Sequence, residues 1–150
     1  MNEIFEEWSI YASKRKLKAR DIKLEPIEKN SKLKIIAITG VRRAGKSSIL
    51  MLLQQKLSKH SKVAYINLED SRIKDNKDVL NNILKWFGDS GFLLLDEIPN
   101  ANDWEGWLAR NHELLKGKLN LITTSSRKSL TAPNKPLRGR ILAYEIYPLS

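Results

Sequence analysis

The sequence contains no cysteine among its 150 residues, which excludes disulfide bonds and thiolate metal sites. No apolar run approaches the ~20 residues that a membrane-spanning helix requires, so no membrane partner is expected. The N-terminus is acidic and amphipathic, whereas a secretory signal begins with basic residues and continues with apolar ones. Together these absences predict a cytoplasmic protein.

Acidic residues are also scarce, because 17 Asp and Glu face 27 Lys and Arg, which gives a net charge of +10. The length predicts one domain, and a composition of 41% hydrophobic and 29% charged residues is typical of soluble globular proteins. The excess charge is concentrated in two stretches: Lys14, Arg15, Lys16, Lys18, Arg20 and Lys23, and Arg127, Lys128, Lys135, Arg138 and Arg140. Such stretches are compatible with a DNA or RNA partner and equally with a solvated face that binds nothing specific.

The chain is predicted to consist of two parts. Residues 1–25 are predicted to form a helical segment, because apolar residues around Trp8 recur at helical spacing. Pro26 ends any helix before it, and residues 25–32 are predicted to be a linker. Residues 32–150 are predicted to form the folded core.

The core alternates short apolar runs with amphipathic helical segments. The runs predicted to be strands are 34–39, 63–68, 92–95, 119–123 and 141–146. Buried strands that alternate with helices predict a parallel sheet covered by helices on both faces, which is an α/β fold. Ligands of such sheets bind at the carboxyl ends of the strands, where the polar motifs of this sequence lie.

The first motif is Gly-Val-Arg-Arg-Ala-Gly-Lys-Ser at residues 40–47, which follows a predicted strand and precedes a predicted helix. In such a phosphate-binding loop the glycines let backbone N–H groups wrap a phosphate, while Lys46 contacts the β- and γ-phosphates and Ser47 contacts Mg²⁺. The residues predicted to bind nucleotide are Gly40, Arg42, Arg43, Ala44, Gly45, Lys46, Ser47 and Ser48. The motif predicts binding of ATP or GTP.

The second motif is the acidic pair Asp96-Glu97, which follows an apolar strand. A carboxylate at the end of a buried strand is out of place unless it meets a cation. Asp96 is predicted to hold Mg²⁺ together with Ser47, and Glu97 to orient and polarise the attacking water. A solvated acidic turn is the alternative.

Two further candidates are weaker. If the strand that ends in Thr123-Thr124-Ser125-Ser126 lies between the first and third strands, a hydroxyl there can touch the γ-phosphate or the attacking water. Ser125 is the first candidate and Thr123 the second, and an ordinary polar turn is the alternative. Arg140, just before the last strand, is a candidate to stabilise transition-state charge in its own site or a neighbour's. A surface arginine is the alternative.

Several segments together carry a family resemblance. They are residues 40–47, Tyr-Ile-Asn-Leu-Glu-Asp at 65–70, Leu-Asp-Glu-Ile at 95–98 with Trp104 downstream, and Gly139-Arg140 before Tyr-Pro-Leu-Ser at 147–150. With these segments in this order, the sequence resembles the archaeal and bacterial AAA-like ATPases over nearly its whole length.

The resemblance implies a three-layer P-loop core with strand order 5-1-4-3-2, ATP and Mg²⁺ as ligands, and Glu97 as the catalytic acid. Members of the family usually continue beyond the Pro-Leu-Ser motif with a lid and a further domain. The chain is therefore expected to be the ATPase core without its lid, with reduced nucleotide affinity.

Three functions agree with these observations. The leading hypothesis is an Mg²⁺-dependent ATPase, with low turnover in isolation, that acts on a nucleic acid, a protein partner or further copies of itself. The second is a nucleotide-gated binding module that hydrolyses ATP very slowly. The third, a small-molecule kinase, is weaker because the sequence shows no insertion that would clamp the phosphates, and the adjacent acids favour water as the nucleophile.

Overall fold

The computed structural model describes residues 1–17, 23–41, 44–126 and 137–147. Its helices are α1 (Asn2–Lys14), α2 (Leu24–Asn30), α3 (Lys46–Leu57), α4 (Val79–Phe87) and α5 (Trp104–Leu114), with a short 3₁₀ turn at Ile98–Asn100. Its strands are β1 (Ile35–Thr39), β2 (Val63–Asn67), β3 (Gly91–Asp96), β4 (Leu119–Ser125) and β5 (Ile141–Glu145). Among the described residues, no helix is long and apolar enough to cross a membrane.

The five strands form one parallel sheet in the order β2-β3-β4-β1-β5. Read from the other edge, this is the order 5-1-4-3-2, so the predicted topology is confirmed. Because all the strands run in one direction, their carboxyl ends share one edge of the sheet. Strand β4 separates β1 from β3, which sets the distance between the two sequence motifs.

The core occupies both faces of the sheet, as the apolar strands predict. Ile36 and Ile38 of β1 pack in a buried cluster with Leu53 of α3. Ala37, between them in sequence, belongs to a second cluster that includes Leu108 of α5. Successive residues of a strand point to opposite faces, so one strand contributes to both clusters and the architecture has three layers.

The N-terminal helix is present, but the predicted linker at 25–32 is wrong, because α2 occupies most of it. Pro26 stands in the first turn of α2, where a backbone N–H has no intrahelical partner to lose. Ile27 is fully buried and anchors this short helix to the core. A proline in the middle of a polar segment was therefore a sign of a helix start instead of a linker.

Candidate functional site

The loop after β1 depends on close backbone packing. A Cβ atom on Gly40 would lie 2.6 Å from the carbonyl oxygen of Ile146, so a side chain has no room there. Gly45 has φ +98° and is the N-cap of α3, so the loop turns directly into the N-terminus of that helix. The backbone N–H groups of a helix N-terminus attract anions. Arg42 and Arg43 lie outside the described residues, and their contact with nucleotide stays a prediction.

Lys46 is the buried cation of the site, with 5% of its surface exposed. Its Nζ donates hydrogen bonds to the carbonyl oxygens of Gly40 at 2.8 Å and Val41 at 2.9 Å. The same Nζ lies 3.8 Å from Oε1 of Glu97. The ammonium group thus contacts both the loop after β1 and the acid after β3.

Asp96 ends β3 and is almost completely buried. Its two carboxylate oxygens accept hydrogen bonds from two hydroxyls, that of Tyr65 on Oδ2 and that of Thr124 on Oδ1, each at 2.5 Å. Burial and the neighbouring Asp96 charge raise the pKa of Tyr65 well above its ordinary value of 10.0, so this hydroxyl remains a donor. Hydrogen bonds from two hydroxyls offset the desolvation of a buried carboxylate.

Glu97 has an unusual backbone conformation, with φ +54° and ψ +55° in the left-handed region. Such conformations are uncommon for residues other than glycine and cluster at functional sites. The N–H of Glu97 donates to Oγ1 of Thr124 at 2.8 Å. The Oε2 atom of Glu97 accepts long hydrogen bonds from the backbone N–H and the hydroxyl of Ser126, at 3.3 and 3.4 Å. The side chain is thus held between Lys46 and the end of β4.

The four hydroxyl residues at 123–126, at the end of β4, make different contacts. Thr124 and Ser126 contact the acidic pair, whereas the sequence favours Ser125 and then Thr123. The hydroxyl of Thr123 donates to the carbonyl oxygen of Ile36 and so joins β4 to β1. Ser125 is fully buried, and its Cα pairs in register with that of Thr39, the residue before the loop. Its predicted contact with the γ-phosphate or the attacking water stays a prediction.

Arg140 lies at the end of the sheet opposite to Lys46. Its carbonyl oxygen accepts the N–H of Ile35, the first residue of β1, and its Nε lies 3.6 Å from Oε2 of Glu113. Because β1 and β5 are parallel, Arg140 lies at the amino ends of the strands while Lys46 follows their carboxyl ends. Within one chain Arg140 and Lys46 thus lie at opposite ends of the strands, and a role for Arg140, in its own site or a neighbour's, stays a prediction.

A cleft of about 460 Å³ opens at the carboxyl ends of the strands. Its lining residues are Gly45, Lys46, Ser47, Ser48, Asn67, Glu69, Asp96 and Glu97. Among the described lining residues, one lysine faces three carboxylates, which favours a cation beside a bound polyphosphate. The oxygen-rich lining suits Mg²⁺, which proteins hold by one or two carboxylates together with phosphates and water. Among the described residues, no cluster of three or more His, Cys, Asp or Glu side chains would hold a metal ion alone.

Comparison with known sequences gives a family. A sequence profile of the AAA domain matches residues 32–150. An uncharacterised protein of Methanocaldococcus jannaschii is 38% identical over 146 aligned positions, which cover 93% of this chain and 31% of that protein. The chain thus spans about a third of the length of this relative.

Comparison with solved structures gives the same fold. The structure of C. elegans PCH-2 aligns with a TM-score of 0.58 at 18% identity, over 99% of this chain and 42% of PCH-2. The AMPPCP-bound DnaA from Aquifex aeolicus aligns with a TM-score of 0.57 at 19% identity, over 81% of this chain and 44% of DnaA. At these identities the likeness shows the α/β P-loop fold.

Proposed function

The chain belongs to the AAA domain family, and from this premise we propose that it binds ATP with Mg²⁺ and hydrolyses it in the cleft between β1 and β3. The observation that carries the proposal is the convergence of Lys46, Asp96 and Glu97 on one cleft, although Lys46 comes after β1 and the acidic pair stands at the end of β3. The AMPPCP in the DnaA structure is an ATP analogue, which supports ATP as the ligand.

Phosphate binding is assigned to the loop after β1 and the first turn of α3. The backbone N–H groups around Gly45 and Ser48 are suited to wrap the phosphate oxygens. Lys46 would exchange one or both of its hydrogen bonds to loop carbonyls for bonds to the β- and γ-phosphates. The exchange keeps the buried ammonium group satisfied, so little desolvation is added on binding.

Metal binding is assigned to Ser47 and Asp96, two oxygen-bearing residues that line the same cleft. A carboxylate offers about four lone-pair positions, and the hydroxyls of Tyr65 and Thr124 occupy two of them. The remaining positions are available to water ligands of the metal. Mg²⁺ held there would neutralise the negative charge that develops on the phosphates.

Glu97 is assigned to the attacking water. Its carboxylate would accept a hydrogen bond from this water and take up the proton that the water loses, as the water oxygen attacks the γ-phosphorus and the bond to the leaving ADP oxygen breaks. The left-handed backbone at Glu97 and the contacts from Ser126 fix the direction of the side chain. Such positioning is a large part of catalysis in phosphoryl transfer.

A nucleotide-gated switch with very slow turnover is the second candidate, and one observation favours it. In the part of the chain that the structure describes, no arginine lines the cleft. An arginine that stabilises transition-state charge accelerates related enzymes by about 10³- to 10⁵-fold, so hydrolysis would be slow if neither Arg42, Arg43 nor a neighbouring copy supplied that charge. Arg140 of a neighbouring copy would then supply this charge in an assembly.

Further proposals concern partners and organisation. We assign residues 1–25 to an N-terminal helical segment and 32–150 to the ATPase core. Exposed Lys14, Arg15 and Lys16 at the end of α1 support DNA or RNA as a partner, whereas Lys18, Arg20, Arg127, Lys128 and Lys135 lie outside the described residues. A protein partner or further copies of the chain remain the other proposed partners.

ATP turnover measured across protein concentration, with and without DNA, tests the proposal. Turnover per chain that rises with concentration supports assembly and an arginine supplied by a neighbour. Turnover raised by DNA at moderate salt supports a nucleic-acid partner. Tight ATP binding with no turnover under any condition favours the switch, and absence of ATP binding contradicts both candidates.

A further inference from the structure

The buried carboxylate of Asp96 is held from the two strands on either side of it. Thr124 belongs to β4, whereas Tyr65 belongs to β2, which is an edge strand of the sheet. Asp96 pairs in register with Asn67, and Tyr65 lies two residues before Asn67 on the same strand face. The tyrosine ring therefore reaches along the sheet to bring its hydroxyl to Asp96.

Tyr65 is in turn held by helix α1, which packs along the outer edge of β2. Its backbone N–H donates to the hydroxyl oxygen of Ser9 at 3.1 Å, and that hydroxyl donates to its backbone carbonyl at 3.2 Å. Ser9 thus satisfies groups of an edge strand that a further strand would otherwise pair. The ring of Trp8 meets the ring of Tyr65 edge-on, with centroids 6.0 Å apart.

Helix α1 also fixes the loop that follows β2. Trp8 Nε1 donates to Oδ2 of Asp70 at 2.8 Å, and Arg72 contacts both Asp70 and Glu7 of α1. The helix is therefore tied to β2 at Tyr65 and to the loop beyond it. Helix α1 lies outside residues 32–150, which match the AAA domain.

From these contacts we infer that Tyr65 is a positioning residue for Asp96, and that helix α1, through Ser9 and Trp8, holds Tyr65 in the position that this requires. The inference rests on the proposed function, because it concerns the role of Asp96 toward Mg²⁺. A carboxylate with a hydroxyl on each oxygen has one orientation, which the loss of either hydroxyl releases. Loss of such an outer partner typically weakens metal affinity about 10- to 100-fold.

Tyr65→Phe removes the hydroxyl and keeps the ring. Binding of a fluorescent ATP analogue is measured in EDTA and over a Mg²⁺ titration, and binding of Mn²⁺ to the nucleotide complex is measured by electron paramagnetic resonance. We expect the affinity for either metal to fall about 10- to 100-fold, while metal-free nucleotide affinity is unchanged. The matched control is Tyr144→Phe in β5 of the same sheet. It removes a hydroxyl that accepts a hydrogen bond from Asn30 Nδ2 at 2.8 Å.

The contribution of helix α1 is tested separately. Ser9→Ala leaves the backbone N–H and carbonyl of Tyr65 without their hydroxyl partner, and we expect metal affinity to fall about fivefold. Ser13→Ala is the control, because its hydroxyl donates only to Ile10 within α1 among the described contacts, and it should leave metal affinity unchanged. Both substitutions are on one helix and remove the same atom.

The outcomes separate the inference from the proposed function. If the parent chain binds nucleotide with no dependence on Mg²⁺ or Mn²⁺, the proposed function fails and takes the inference with it. If the parent depends on the metal but Tyr65→Phe matches it, the inference alone is wrong. Equal losses with and without metal would also overturn it, since they would show a structural role and no effect specific to the metal.

Discussion

Lys46 Nζ and Glu97 Oε1 lie 3.8 Å apart, although the two residues follow strands that are not neighbours in the sheet. Strand β4 lies between β1 and β3, and both side chains reach over its carboxyl end. Their approach joins a cation suited to phosphate with a carboxylate suited to water. Each side chain can be substituted separately, so the effects on ATP binding and on hydrolysis can be predicted separately.

Removal of the Lys46 ammonium group should mainly affect binding. For Lys46→Ala we expect ATP affinity to fall about 10- to 100-fold, because charged hydrogen bonds to the phosphates contribute about 1.5–3 kcal/mol. Turnover should be abolished with it. Isothermal titration calorimetry with Mg-ATP measures the change. Lys56→Ala is the control on the same helix, since its Nζ pairs at the surface with Glu25 and Glu28. Similar affinity for the two variants would contradict the assignment of Lys46.

The two hydroxyls at the end of β4 should differ in their effects. Thr124→Val removes the donor to Asp96 and leaves the N–H of Glu97 without its acceptor, which should lower the free energy of unfolding by about 1–3 kcal/mol. It should also reduce turnover, because both acids lose a contact. Ser125→Ala tests the prediction that the Ser125 hydroxyl contacts the γ-phosphate or the attacking water. Chemical denaturation measures the stability of both variants, and ATP hydrolysis assays measure their turnover. A larger loss of turnover for Ser125→Ala than for Thr124→Val would show that the site depends mainly on Ser125.

Stability in acid should depend on Asp70. The Arg72 guanidinium, with Trp8 Nε1–H as a further donor, lowers the pKa of Asp70 from its ordinary 3.8 to about 2. A lowered pKa in the folded state stabilises the fold at pH values above about 4, and this contribution is lost as the pH falls through 2.

Asp70→Asn should therefore lower the free energy of unfolding at pH 7 by about 1 kcal/mol, a value reduced by the exposure of Arg72 to solvent. The difference from the parent should shrink toward zero at pH 2. Urea unfolding at several pH values measures it, with Asp75→Asn as a control at an exposed carboxylate of the same loop. A difference that is constant between pH 7 and pH 2 would show that the carboxylate charge is not responsible.

Much of the fold follows from local patterns in the sequence. Five apolar runs bounded by polar or glycine residues predict the strands, and all five are present. The strand order came from resemblance to a family, because no local pattern states which strand lies beside which. The linker prediction failed at α2, where Ile27 is buried by residues distant in sequence and local polarity gave no sign of this.

The candidate site, like the fold, can be predicted only in part from local sequence. Gly40, Lys46 and Asp96 lie in motifs of fixed spacing, so sequence alone selects them. Tyr65 and Thr124 reach Asp96 from two other strands, and strand registers decide which side chains meet. A tyrosine inside an apolar strand is ordinarily read as core, and its hydroxyl bond to a carboxylate 31 positions away has no local sign.

The most direct test of the account is the substitution Glu97→Gln, measured by single-turnover hydrolysis of ATP beside equilibrium binding. The amide keeps the size of the side chain and an acceptor for Ser126, but it removes the charge that polarises water. Glu28→Gln, on the surface helix α2, controls for the loss of one carboxylate. We expect ATP binding close to that of the parent and phosphate release slowed by at least about 100-fold. Phosphate release by Glu97→Gln at the parent's rate would contradict it.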